Sequence, residues 1–98
     1  MLFIYKISGD SMSPQYLNED YVLALKVRFI PSFFLKKNQD FIIRHKIYGD
    51  MLKRLFSKKE NGEYLFTGLN EQSISTEQIG ALEKEHLKGL VLWKVSSK

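Results

Sequence analysis

The residues best suited to chemistry lie in Ser8-Gly9-Asp10-Ser11-Met12-Ser13-Pro14. Ser11 follows a glycine exit from an apolar opening segment and precedes a turn stiffened by Pro14. A serine in that setting can turn both its hydroxyl and its backbone N–H toward a groove, the two groups acyl transfer uses. The segment is not the Gly-x-Ser-x-Gly elbow of histidine-dependent hydrolases, because Ser13 stands where the second glycine belongs. A polar turn that uses Ser and Pro for local hydrogen bonds is the other reading of the same residues. A nucleophilic serine needs a base, since a free hydroxyl is almost wholly protonated at neutral pH. His45 lies in Arg44-His45-Lys46 and His86 in Lys84-Glu85-His86, charged runs that read as solvated faces with no pattern for an orienting carboxylate. Lys53 differs from the other cations, with Met51, Leu52, Leu55 and Phe56 around it. An amine held among apolar groups loses solvation, and its pKa falls toward the range of a working general base. Alternation also allows Lys53 to be the exposed member of a strand. Two isolated histidines without an acidic partner at ligand spacing suggest no metal site, and no cofactor is expected.

The elements that must position these residues belong to one small domain spanning residues 1–98. The chain is 44% hydrophobic and has no cysteine, which excludes disulfide scaffolds, thiol catalysis and cysteine-ligated zinc. Fifteen Lys+Arg against eleven Asp+Glu, formally +4, read as an ordinary mixed surface. No apolar stretch approaches the ~20 residues of a membrane span, and Met1–Tyr5 lacks the features of a leader, so a soluble chain without a transmembrane segment is expected. Period-two alternation dominates. It predicts an opening strand around Leu2, Ile4 and Ile7, then strands at Tyr21–Val27, Phe41–Lys46, Tyr48–Phe56, Glu63–Thr67 and Leu90–Val95. Pro31 interrupts after the second strand. Lys58–Gly62, with Asn61-Gly62, predicts a hairpin turn. Between Ser73 and Leu90, Ser75-x-x-Gln78 has the form of a capping box, while Gly80 and Gly89 favour short turns, with one helical turn near Glu83–Leu87. The expected fold is mostly β, a folded sheet or partly open barrel with at most one short helical turn.

Four stretches taken together carry a resemblance. Gly9-Asp10-Ser11-Met12-Ser13-Pro14, Asn18-Glu19-Asp20-Tyr21-Val22-Leu23, Met51-Leu52-Lys53-Arg54-Leu55 and Gly68-Leu69-Asn70…Ser73…Gly80 resemble the ordered boxes of the Ser/Lys-dyad peptidases. That superfamily contains type I signal peptidases and LexA-like self-cleaving repressors. The resemblance extends from Ile7 to Val95 and includes the closing Gly89-Leu-Val-Leu-Trp segment. It implies a LexA/signal-peptidase-like sheet, Ser11 as nucleophile and Lys53 as general base. It further implies that Ser73 orients the lysine amine, that Arg54 is structural, and that the Asp10 backbone N–H joins that of Ser11 in the oxyanion site. The implied partner is a protein or peptide substrate in extended form, with small residues near the scissile bond.

Departures from the pattern narrow the subfamily. No membrane anchor is expected ahead of the serine box, and Gly9 replaces a hydroxyl residue that some signal peptidases use as an oxyanion donor. In the last box, Leu69 replaces the Asp of the usual Asp-Asn while Asn70 is kept, and Ser73-Ile74-Ser75-Thr76-Glu77 replaces Ser-x-Asp-Ser-Arg, which removes a supporting salt bridge. Glu19 and Gln39 replace glycines before Asp20 and Asp40. Seven residues before Ser8 are too few for a DNA-binding domain or a self-cleaved arm, so cleavage of another chain fits better. The alternatives are a non-catalytic or self-cleaving LexA-like domain and a small basic nucleic-acid-binding module. For the last, Lys36-Lys37, Arg44, Lys53-Arg54 and Lys58-Lys59 interleave with Phe33, Phe34, Phe41, Tyr48 and Phe56. No RNP-like or phosphate-cradling motif accompanies them, so the aromatics are expected in the core and no nucleic acid is expected as partner.

Overall fold

Alternating apolar residues become six strands, because each strand buries one or both faces against the rest of the chain. The computed structural model describes residues 1–9, 12, 13, 15–69 and 74–95. Its strands are β1 (Leu2–Lys6), β2 (Tyr21–Lys26), β3 (Asp40–His45), β4 (Gly49–Lys58), β5 (Tyr64–Thr67) and β6 (Leu87–Val95). They form one antiparallel sheet in the order β1-β2-β6-β3-β4-β5. The last strand of the chain therefore lies between the β1–β2 hairpin and the β3–β4–β5 meander. The fold is mostly β. Bulges at Leu23/Ala24, Ile42/Ile43 and Leu55/Ser57 interrupt the ladders, and such bulges bend a sheet.

Folding the sheet creates two cores. One gathers Ile7, Met12, Tyr16, Val22, Ala24, Ile42 and Leu52. The larger contains Val27, Ile30, Leu35, Phe41, Ile43, Leu55, Tyr64, Phe66, Ile79, Leu82 and Leu87. Gly89 of β6 leaves room for the Phe3 ring of β1, which reaches it across β2: a Cβ there would lie 2.5 Å from that ring. The predicted hairpin forms between β4 and β5, with Gly62 N–H donating to Lys59 O at 3.0 Å and Gly62 at φ 90°.

The Ser75–Gln78 capping box is made, and it starts the four-residue helix α1 (Thr76–Ile79). Single 3-10 turns occur at Val27–Phe29, Ser32–Phe34 and Lys84–His86. Several boundaries move. Val27 leaves β2 for a 3-10 turn because its side chain is drawn into the larger core. β6 begins at Leu87 rather than Leu90, since Leu87 pairs with Ile43 and packs beneath it. Two environments differ from expectation: His45 is buried rather than solvated, and Phe33, Phe34, Tyr48 and Phe56 are exposed rather than core. Of the two readings of Lys53, the structure has the buried one. Among the described residues no helix is long and apolar enough to cross a membrane.

Candidate active site

Lys53 owes its surroundings to its place on β4. It pairs across to Phe41 and, by strand alternation, shares a face with Met51 and Leu55, both packed on the larger core. The side chain is only 1% exposed. Burial pushes its amine below the usual lysine range, because removing water penalises the ammonium form. Among the described residues no buried side-chain nitrogen or oxygen is left without a partner.

Lys53 is among the residues that line a groove of about 420 Å³. Ser8, Gly9 and Met12 line it together with Asp50, Met51 and Leu52 of β4 and with Tyr5, Ile7, Tyr48 and Ile74. Gly9 and Met12 bracket positions 10 and 11, and Ile74 follows position 73, so the chain on either side of the serine box and after Ser73 reaches the groove that Lys53 lines. Ser11, Asp10, Ser73 and Asn70 themselves lie outside the described residues. Gly9 and Met12, on either side of positions 10 and 11, are each anchored. Gly9 N–H donates to Asn18 Oδ1 at 2.9 Å, and Met12, 2% exposed, is sunk into the smaller core. Met12 O also accepts from Tyr16 N–H at 2.9 Å. The ladder between β4 and β5 runs from Arg54 to Lys58, so β5 does not cover the edge of Gly49–Lys53 beside the groove.

Arg54, one residue on, occupies the opposite face. Its guanidinium grips the buried Asp40 carboxylate through two bonds, Nε to Oδ1 at 2.7 Å and Nη2 to Oδ2 at 3.1 Å. Tyr16 donates its hydroxyl to Asp40 Oδ2 at 2.7 Å, and Arg54 Nη2 reaches Gln15 Oε1 at 2.8 Å. Burial and the bond to Asp40 raise the Tyr16 hydroxyl pKa well above the ordinary tyrosine value, so Tyr16 remains a donor. The same Asp40 bonds raise the Arg54 pKa. This cluster joins the turn after the serine box to β3 and β4. Sequence reasoning missed Asp40, Tyr16 and Gln15 as parts of it. The sequence reading ended the polar turn at Asp40 and began the strand at Phe41, whereas β3 begins at Asp40, which pairs with Arg54.

Both histidines stand apart from Lys53. His45 Nδ1 accepts from the N–H groups of Ile47 (3.0 Å) and Tyr48 (3.3 Å), which leaves the proton on Nε2 to be donated to Ile79 O at 2.9 Å. Both ring nitrogens are occupied, and neither is available as a base. His86 Nδ1 accepts from Glu83 N–H at 3.3 Å. The two rings line a separate groove of about 370 Å³ with Ile47, Gln78 and Leu82. Among the described residues no group of three or more His, Cys, Asp or Glu is arranged to hold a metal ion. No protein-family model matches the chain, and no curated protein matches it.

Proposed function

We propose that this protein is a serine endopeptidase in which Ser11 is the nucleophile and Lys53 the general base. The observation that carries the reading is Lys53: a nearly inaccessible lysine with a lowered pKa, on a groove lined also by the flanks of the serine box. A neutral Lys53 Nζ takes the Ser11 proton as Oγ attacks the peptide carbonyl carbon. The proton then passes to the departing amine as the C–N bond breaks, leaving an acyl-enzyme. Water gives a proton to Lys53 while its oxygen attacks the ester, and the return of that proton to Oγ releases the acid and restores Ser11. The backbone N–H groups of Ser11 and Asp10 stabilise the oxyanion, and Ser73 orients the amine. Arg54 braces the site without touching substrate. An extended segment of a protein substrate adds along the Gly49–Lys53 edge of β4, with small residues at the cut.

Peptide-library digestion by wild type, Ser11→Ala and Lys53→Arg tests this. Arginine stays protonated at any workable pH, so both variants lose cleavage while their circular dichroism is unchanged. Wild-type activity in folded Lys53→Arg would remove Lys53 as the base. Absence of cleavage by wild type across the library and across pH would remove the enzyme.

A further inference from the structure

Between β2 and β3 the chain shows three phenylalanines to solvent: Phe29 is 53% exposed, Phe33 70% and Phe34 52%. This display is built into the fold. Val27, Ile30 and Leu35 of the same segment are buried in the larger core and pin the backbone while the intervening rings turn outward. Two lysines from elsewhere in the chain hold its carbonyls: Lys84 Nζ donates to Ile30 O at 2.6 Å, and Lys58 Nζ to Ser32 O at 3.3 Å. Pro31 separates the two 3-10 turns that carry the rings. Scattered exposed apolar residues are ordinary, but three held outward on one braced segment mark an interaction surface.

Charge says what it meets. Residues 26–39 contain Lys26, Arg28, Lys36 and Lys37 and no Asp or Glu. All four cations are exposed. Of the chain's fifteen Lys+Arg, these four leave eleven to match eleven Asp+Glu, so the formal +4 resides wholly in this segment. We propose that the Lys26–Lys37 segment docks on an anionic lipid bilayer. Phe29, Phe33 and Phe34 enter the boundary between headgroups and acyl chains while the four cations meet lipid phosphates and carboxylates. Phenylalanine has no hydrogen-bonding atom, so its side chain enters hydrocarbon without leaving a polar group unsatisfied. Single-stranded nucleic acid, the competing ligand, stacks its bases on open ring faces along a cationic groove. Here Phe33 and Phe34 pack on each other with centroids 4.5 Å apart, and Arg28 lies 5.4 Å from the Phe29 centroid. The rings line neither groove described above. The proposal is independent of the peptidase reading.

Vesicle co-sedimentation of the whole chain tests it, using phosphatidylcholine alone and phosphatidylcholine with about 30% phosphatidylserine. The chain is expected on the anionic vesicles and not on the neutral ones. Replacing Lys36 or Lys37 by Ala weakens binding roughly fivefold each, and Phe33→Ser with Phe34→Ser weakens it about tenfold or more. These side chains are exposed, so circular dichroism is unchanged. Equal binding to both vesicles, binding to neither, or full binding by the phenylalanine variant overturns the proposal. So does a fluorescently labelled single-stranded oligonucleotide whose binding is lost in that variant, an outcome that assigns the surface to nucleic acid.

Discussion

Lys53 and Arg54 are consecutive cations on one strand, and the fold treats them in opposite ways. Arg54 faces the smaller core beside Asp40, which takes two of its N–H groups and keeps it charged. Lys53 faces the larger core between Met51 and Leu55, where burial acts against its charge. Strand alternation puts them on opposite faces, and what each face holds decides the rest. The comparison separates a cation that stabilises the structure from one whose environment destabilises its charged form. The second condition is costly to folding and useful to chemistry.

The largest effect expected is on turnover. On the proposed dyad, Lys53→Met removes the proton acceptor and is expected to lower peptide cleavage by at least ~10²-fold. The same proposal expects wild-type kcat/KM to rise with pH through the lowered Lys53 pKa, because only a neutral amine can accept the Ser11 proton. Stability should follow the same group. The folded pKa lies below the unfolded one, so between the two the unfolded chain holds more protons and stability increases with pH. Below that window the full penalty of the buried ammonium is present, and above it the penalty is gone. Urea melts across pH check this: the rise is expected in wild type and absent in Lys53→Met, which is also more stable at neutral pH.

Arg54→Met should do the reverse. It leaves the Asp40 carboxylate buried without its partner and lowers stability by about 3 kcal/mol. Asp40→Asn combined with Arg54→Met costs less than the sum of the single changes, as a double-mutant cycle in urea would show. Should Arg54→Met and Lys53→Met shift stability in the same direction, the contrast between the two faces fails.

The histidines extend the comparison from charge to hydrogen bonding. His45→Ala strands the N–H groups of Ile47 and Tyr48 and the carbonyl of Ile79, and costs about 2 kcal/mol. The half-buried His86 costs within about 0.5 kcal/mol when replaced by Ala. Both variants keep their turnover per folded molecule, measured at a temperature where His45→Ala remains native. The smallest effect is at Glu19, which adopts φ 72°. Glu19→Gly relieves about 1–2 kcal/mol of left-handed strain against about 0.5–1 kcal/mol of added chain entropy. Thermal melts should therefore show a small gain.

Local pattern was enough for the strands, for the Asn61-Gly62 turn and for the Ser75–Gln78 cap, because each depends on residues within a few positions of one another. It also singled out Lys53 by its apolar neighbours. Burial was not legible, since alternation says which residues share a face but not what covers that face. Lys53 could have been the solvated member of β4, and only the packing of the larger core beneath β3 and β4 decided otherwise. His45 looked solvated for the same reason: Ile79, which accepts its proton, is 34 residues away. Tyr16 and Asp40 are 24 apart and Asp40 and Arg54 are 14 apart, so their cluster exists only once β3 and β4 have paired and the turn after the serine box has closed over them. The outward rings of Phe33 and Phe34 were likewise decided by their neighbours. The sequence by itself determined the period-two elements, their turns and the serine and lysine worth testing. The tertiary structure decided which side chains lose water, because desolvation is produced by atoms brought together from distant parts of the chain.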